Sequence, residues 1–152
     1  MEILQLVFDV SPLSWAGIFS SLLTASLFGF ERQVLGKPVG IRTSVLIILS
    51  VYIFMGVSHF IYHDQVRIIG QIITGVGFLG GGVIIAREGM VQGMTSAATI
   101  WILTAIGVLY GLEYYLLGIK LTIVALIVLF FLFWLEKKIS FLGKGRHSIM
   151  NS

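Results

Sequence analysis

Residues 114–135 read YYLLGIKLTIVALIVLFFLFWL, and Lys120 is their only charged residue. A helix needs about 20 mostly apolar residues to cross the hydrocarbon core of a bilayer, so this run is long enough to span a membrane. Its apolar residues do not alternate with polar ones, and a single segment in lipid satisfies its backbone hydrogen bonds internally only as a helix. The stretch therefore predicts a transmembrane helix.

The same pattern recurs earlier in the chain. The stretches 10–30, 43–62, 68–86 and 89–112 contain no Asp, Glu, Lys or Arg. The chain of 152 residues is 57% hydrophobic and 11% charged, and its mean hydropathy is +1.02. This composition is typical of a protein surrounded by lipid rather than by water. We predict an all-α, polytopic membrane bundle of about five transmembrane helices, forming one domain over residues 1–152.

The basic residues are distributed unevenly between the two predicted sides of the membrane. Eight of the ten Lys and Arg residues lie in the connections 31–42 and 87–88 and in the tail 136–152. Because positive residues favour the cytoplasmic side, we expect an external amino terminus and a short basic tail in the cytoplasm. That tail is expected to rest on anionic lipid headgroups rather than to bind nucleic acid. Lys120 is expected to extend its amine to the outer interface.

Several chemistries lack the residues that they need. The chain has no cysteine, which excludes disulfides, thiolate metal ligands and thiol catalysis. It has no Walker-type phosphate loop, nucleophile elbow or paired-histidine zinc helix. His59 and His63 are spaced as two ligands on one helix face, but no third ligand accompanies them. We therefore expect no enzymatic activity, no established metal site and no cofactor.

The third apolar stretch is rich in small residues. Four of them, spaced four, three and four apart, form one helical stripe: Gly70, Thr74, Gly77 and Gly81. Three more form a second small face: Gly75, Gly82 and Ala86. Such faces allow close contact with neighbouring helices of the bundle or with another subunit, and the expected assembly is a homodimer or a higher homo-oligomer. The alternative is that Gly80, Gly81 and Gly82 break the helix near mid-membrane and offer free carbonyls to a cation.

Ionisable and hydroxyl side chains lie near the predicted helix ends. On the cytoplasmic side these are Glu31, Arg32, Arg42, Thr43, Arg87, Thr95, Ser96 and Thr99. Glu31 is expected to pair with one of the three arginines, which either anchors the bundle or forms part of a binding site. On the outer side Asp64 and Arg67 are three apart, with Gln71 one turn deeper, so a local ion pair is expected. Glu31 and Asp64 are the candidate contacts for a cation.

Three blocks of sequence carry a family resemblance. Residues 29–33 (GFERQ) and 40–43 (GIRT) are similar to a G-x-E-R and G-[LI]-R-T pair. Asp64, Arg67 and Gln71 lead into residues 74–82 (TGVGFLGGG), which resemble G-I-G-F-L-G-A-G. Residues 93–98 (GMTSAA) with Trp101 resemble G-L-T-T-A-A followed by tryptophan. In order and spacing these blocks resemble the membrane domain of the MgtC/SapB family.

The chain departs from the family pattern at a few positions. Gly81 stands where the family usually has Ala, Met94 where it has Leu, and Ser96 where it has Thr. Many members continue into a cytoplasmic ACT-like domain, and we expect this chain to lack it. The resemblance implies a bacterial inner-membrane protein linked to magnesium homeostasis and stress adaptation. In some members it extends to virulence and to inhibition of the membrane sector of F-type ATP synthase.

Two hypotheses for function follow. The first is a non-enzymatic membrane regulator that acts through helix contacts, with itself and with a larger membrane complex such as F-type ATP synthase. The second is a transporter or channel-like protein for magnesium or a monovalent cation, with Glu31 or Asp64 at its site and the glycine-rich helix lining it. The small-residue faces and the scarcity of charge within the membrane favour the first. The resemblance also marks Glu31, Arg32, Arg42, Asp64 and Arg67 as its polar positions of interest.

Overall fold

A computed structural model describes residues 8–61, 65–87 and 90–139. Within these ranges the chain forms five helices and one short hairpin. The elements in chain order are α1 (Trp15–Val34), α2 (Ile41–Ile61), α3 (Gln65–Gly82), β1 (Ile85–Arg87), β2 (Met90–Gln92), α4 (Met94–Gly111) and α5 (Tyr115–Lys138). The predicted all-α bundle of five helices is confirmed. Asp64, His63 and residues 140–152 of the predicted tail lie outside the described residues.

Three of the described helices are long and apolar enough to cross a membrane on their own. They contain the segments Ile41–Ser58, Met94–Gly111 and Tyr115–Lys138. The other two, α1 and α3, are less apolar because they contain more hydroxyl and glycine residues and the charged residues Glu31, Arg32 and Arg67. The bundle is therefore that of a membrane protein, with two less apolar helices packed beside three strongly apolar ones.

The chain runs up and down through the bundle. Short connections join consecutive helices, so that the carboxyl ends of α1, α3 and α5 and the amino ends of α2 and α4 share one end. We name this the basic end, because it carries Arg32, Lys37, Arg42 and Lys138. Where α1 and α2 approach each other there, a Cβ atom at Gly29 would collide with the backbone of Ile41. Glycine is therefore required for this contact.

The segment between α3 and α4 differs from the sequence prediction. The apolar runs suggest helices over 68–86 and 89–112, but α3 ends at Gly82 and α4 begins at Met94. Between them β1 and β2 pair antiparallel, with Ala86 opposite Val91. Gly93 then turns the chain with φ of 89°, and a side chain there would collide with Val83. Hydropathy alone does not separate a short apolar strand from the end of an apolar helix.

The three glycines Gly80–Gly82, which the sequence offers as an alternative helix break, lie at the end of α3. Helix α3 continues through Gly80 and Gly81 to its end at Gly82. The carbonyl of Gly80 accepts a hydrogen bond from the amide of Val83 (3.4 Å), and that of Gly81 accepts one from Ile84 (3.1 Å). The last turn of the helix therefore uses the carbonyls of Gly80 and Gly81, and these two are not free for a cation.

Two hydroxyl clusters join the helices, the first part-buried and the second within the apolar core. In the first, Ser14 Oγ lies 2.8 Å from the hydroxyl of Tyr115, and the Ser14 amide donates to the hydroxyl of Tyr52 (2.8 Å). In the second, Thr24 Oγ1 contacts the hydroxyls of Tyr110 and Thr122. These bonds connect α1 to α2, α4 and α5 and satisfy polar groups that lipid would leave unpaired.

Candidate functional site

The buried charges of the described residues are concentrated at the basic end of the bundle. Glu31 and Arg32 occupy the last turn of α1, where the first turns of α2 and α4 close over them. Only 7% of Glu31 and 2% of Arg32 is exposed. Charged residues are seldom buried this deeply in a bundle without a structural or functional reason.

Arg32 is held against the start of α4. Its Nη2 donates a hydrogen bond of 2.9 Å to Ser96 Oγ, in the first turn of that helix. Its Nε atom is buried and has no hydrogen-bond partner. The guanidinium therefore lies beside the positive end of a helix dipole, although both would be stabilised by a negative charge.

The structure tests two of the three arginine partners that the sequence suggests for Glu31. Its Oε2 atom is buried and has no hydrogen-bond partner, and no ion pair joins the carboxylate to Arg32 or Arg42 in the part of the chain that the structure describes. The charges that act on it are those of Arg32 and Lys37. The side chain of Arg87 lies outside the described part. Glu31 is thus a buried acid that contacts neither Arg32 nor Arg42, and its pairing with Arg87 stays a prediction.

The structure brings some of the other predicted residues to this end, with different roles. Ser96 binds Arg32 directly, whereas Arg42, Thr43 and Thr95 are exposed. Thr99 donates its hydroxyl to the carbonyl of Thr95 (2.8 Å), within its own helix. Arg42, Thr43, Thr95 and Thr99 therefore lie at the basic end but make no hydrogen bond to Glu31 or Arg32 among the described residues.

Ser44 belongs to the basic end but was missed in the sequence. Its side chain is completely buried in the first turn of α2, and its Oγ atom has no partner. It directly follows the Gly40–Thr43 motif, so its position in the chain was the available signal. A single serine in an apolar run is common, however, and only the packing shows that this one is buried and unpaired.

The outer candidates lie far from this cluster. Arg67 is exposed near the start of α3, and Gln71 faces a groove one turn further on. From Arg67 to Gly80, where α3 packs on Trp101 of α4, the helix rises about 20 Å. Asp64 lies outside the described residues, so the expected Asp64–Arg67 contact stays a prediction. The structure therefore separates Gln71 and Arg67 from Glu31 and Arg32.

The small-residue stripe of α3 lies on the surface of the bundle. A Cβ atom placed on Gly70, Gly77 or Gly81 would meet no atom within 4 Å, and the same holds for Gly75 and Gly82. Thr74, between them on the stripe, donates its hydroxyl to the carbonyl of Gly70 (2.9 Å). Gly80 differs because it packs on Trp101. The other side of α3 faces the bundle through Ile72 and Val76, so the stripe has no partner helix within the described chain.

Two grooves flank α4. The larger, about 790 Å³, lies between α2 and α3 and is lined mainly by apolar side chains, with Gln71 and Ser50 among the polar ones. The smaller, about 460 Å³, lies between α4 and α5, against Phe28 of α1. Among the described residues, no group of three or more His, Asp or Glu side chains is placed to hold a metal ion. Neither groove therefore contains a set of acidic ligands of the kind that a magnesium site normally uses.

A match to a protein-family model decides which family this bundle belongs to. The model described as the MgtC family matches residues 18–138, which include all three sequence blocks and most of the five helices. The chain belongs to the MgtC family. The resemblance noted in the sequence is therefore confirmed.

Curated relatives of this MgtC family member agree with the family model. It is 39% identical over 117 residues to the protein named "Putative magnesium transporter YhiD" of Escherichia coli K12, covering 70% of this chain and 54% of the relative. It is 40% identical over 111 residues to "Protein MgtC" of Salmonella typhimurium LT2, covering 72% and 48%. The chain spans about half the length of these relatives. No solved structure matches it significantly.

Proposed function

We propose that this MgtC family member is a non-enzymatic regulator of the bacterial inner membrane that serves magnesium homeostasis and stress adaptation. It acts by binding other membrane helices through the stripe Gly70, Thr74, Gly77 and Gly81 of α3. Its first partner is a second copy of the same chain, and a larger complex such as the membrane sector of F-type ATP synthase is a further partner. The amino terminus faces outward and the basic end faces the cytoplasm.

The observation that carries this proposal is the open stripe. Glycine and threonine cover little apolar area, so a lipid-facing helix gains little from them, whereas another helix can approach their backbone closely. The stripe lies on the side of α3 opposite Ile72 and Val76, which pack into the bundle. A close neighbour can therefore be accommodated without any change in the fold.

A cation transporter is the second candidate. The name of the E. coli relative and the buried, unpaired Glu31 favour it. Against it are the hydrogen-bonded carbonyls at Gly80 and Gly81 and the single buried acid among the described residues. A path for a divalent cation usually has several oxygen ligands in reach of one another, and the described residues offer one carboxylate.

The oligomer is tested by mass measurement of the purified protein in detergent. Gly77→Leu and Gly81→Leu place bulk on the stripe, and Gly75→Leu adds the same bulk to an open position of α3 that lines the larger groove. Leucine favours a helix more than glycine does, so all three variants should fold. The proposal expects the first two to be monomeric and the third to remain oligomeric. A complex that survives both stripe variants would contradict it.

Transport is tested in sealed vesicles that contain the purified protein and a magnesium-sensitive dye. The regulator proposal expects the same slow leak with the native protein, with Glu31→Gln and with empty vesicles. Magnesium or monovalent-cation flux that depends on the protein and is abolished by Glu31→Gln would replace the regulator with the transporter. The exposed Glu113→Gln serves as a matched control, since it removes an acid at the opposite end.

A further inference from the structure

A third groove lies between α1 and α5 and is open to the surrounding lipid. Leu27 of α1 lines one side, and six side chains of α5 between Ile123 and Trp134 line the rest, around a volume of about 690 Å³. At 1.5 Å per residue, this part of α5 covers about 16 Å, close to the roughly 15 Å of one leaflet. Because Trp134 lies one turn before the end of α5 at Lys138, the groove crosses the leaflet at the basic end of the bundle.

The basic end of this groove carries two aromatic rings and an ammonium group in a row. The rings of Phe131 and Trp134 have centroids 6.4 Å apart, and the Lys138 Nζ lies 4.6 Å from the centroid of the Trp134 ring. Lys137, three residues after Trp134, lies on the same side of the helix, whereas Glu136, two residues after it, does not. The two lysines together exceed the roughly half negative charge of the helix end. The groove therefore ends in a net positive charge.

The polar groups at this end lack an acceptor in the part of the chain that the structure describes. No acidic side chain there pairs with Lys138, and the indole N–H of Trp134 donates no hydrogen bond. Tryptophan and lysine at a helix end lie at the level of the lipid headgroups, where an indole N–H and an ammonium meet phosphate oxygens. A phosphate group would accept from both, and the contact with the ammonium would be a charge-assisted hydrogen bond.

The walls of the groove suit an acyl chain better than a second helix. All seven lining side chains are Leu, Ile, Phe or Trp, with no small residue among them. Helices approach each other closely in lipid where small residues expose the backbone, as on the stripe of α3. A flexible acyl chain needs no such approach and can lie between large apolar side chains. The length of the groove, its wall and its charged end therefore all match a phospholipid.

We propose that the groove between α1 and α5 holds one anionic phospholipid, with an acyl chain against Leu27 and Ile127 and its phosphate at Trp134 and Lys138. The ammonium groups of Lys137 and Lys138 neutralise the negative headgroup, and the indole N–H donates to the phosphate. This is one lipid held at a fixed place, in contrast to the diffuse attraction of a basic tail to a lipid surface. Such a site requires neither the oligomer nor transport.

Native mass spectrometry of the full chain released from detergent measures the retained lipid. The expected result is one phosphatidylglycerol adduct per chain. Phosphatidylcholine with the same acyl chains, whose headgroup has no net charge, should bind about tenfold more weakly. Phosphatidylglycerol should raise the melting temperature, and inorganic phosphate alone should not. Equal binding of the two lipids would overturn the headgroup contact, and equal stabilisation by inorganic phosphate would overturn the acyl chain.

Two pairs of variants test the two ends of the groove. Lys138→Gln removes the ammonium on Trp134, and Lys37→Gln removes an equal charge at an exposed position of the basic end outside the groove. Ile127→Trp adds bulk in the middle of the groove, and Leu132→Trp adds it at an exposed position of α5 outside the groove. Lys138→Gln should bind phosphatidylglycerol about fivefold more weakly, and Ile127→Trp should lose the adduct, while both controls retain it. All four positions are exposed, so all four variants should fold.

Three outcomes reject the lipid site. If Lys37→Gln weakens binding as much as Lys138→Gln does, the lipid responds only to the overall charge of the basic end. If Ile127→Trp retains the adduct, the lipid lies elsewhere on the bundle. A native chain without any adduct also rejects the site: a lower oligomeric mass of Ile127→Trp would then assign the groove to a second copy, and an adduct gained by a chain that ends at Ile139 would assign it to residues 140–152.

Discussion

At the scale of single residues, the contact between Arg32 and Ser96 is the most specific feature of the basic end. The sequence placed both at helix ends, and the family motifs singled them out. It did not show that Arg32 would be buried, because that depends on how closely α4 approaches α1. Ser44 was missed for the same reason, since burial of one hydroxyl is a property of the packed bundle.

Removal of the hydroxyl that holds Arg32 should weaken the fold. Ser96→Ala leaves a buried guanidinium without its hydrogen-bond partner, which should lower the free energy of unfolding by about 1–3 kcal/mol. Thr95→Ala, on the exposed neighbour, should change it by less than about 0.5 kcal/mol. Reversible unfolding in mixed micelles measures both. Equal stability of the two variants would show that the Ser96 contact contributes nothing.

The close approach of α1 and α2 makes a second residue-level prediction. Gly29→Ala forces a methyl group into the backbone of Ile41 and should destabilise the protein by about 1–3 kcal/mol. Gly77→Ala lies on the open stripe. In micelles that hold the monomer, it should leave the free energy of unfolding unchanged or raise it by up to about 1 kcal/mol, because alanine favours a helix more than glycine does. The same unfolding measurement compares them. If Gly29→Ala proved as stable as Gly77→Ala, the tight contact between α1 and α2 would be disproved.

At the scale of elements, the number of helices could be predicted, but several of their boundaries could not. Long apolar runs with almost no charge identify helices because lipid excludes unpaired backbone groups, and each of the five runs overlaps one helix. The run 68–86 continues past Gly82 with Val83, Ile84 and Ile85, which are as apolar as the helix before them. Only the φ of 89° at Gly93 and the pairing of β1 with β2 reveal the hairpin.

The hydroxyl cluster of Thr24, Tyr110 and Thr122 should help to hold α5 on the bundle. Tyr110→Phe removes the phenolic hydroxyl and should cost about 0.6 kcal/mol, with an upper limit near 1.7 kcal/mol. Tyr114→Phe is the control, because Tyr114 is exposed and its hydroxyl makes no hydrogen bond among the described residues. Unfolding in micelles should separate the two variants. A larger loss for Tyr114→Phe would contradict this role for the cluster.

At the scale of the whole molecule, the basic end sets the expected orientation. The native chain has no cysteine, so single cysteines report their own location. A membrane-impermeant maleimide should label Tyr114→Cys in intact cells and should label Lys37→Cys only after the cells are opened, because positive loops favour the cytoplasm. The two residues lie at opposite ends of the bundle. Labelling of Lys37→Cys from outside would reverse the proposed topology.

The central claim is that the open stripe of α3 contacts a second copy of the chain. Single cysteines at Thr74, Gly77 and Gly81 in native membranes test it, with Ile72→Cys and Val76→Cys on the packed side of the same helix as controls. On mild oxidation, the account predicts disulfide-linked dimers from the three stripe positions and monomers from the two controls. Monomers at all five positions, or dimers through Ile72 and Val76, would contradict it.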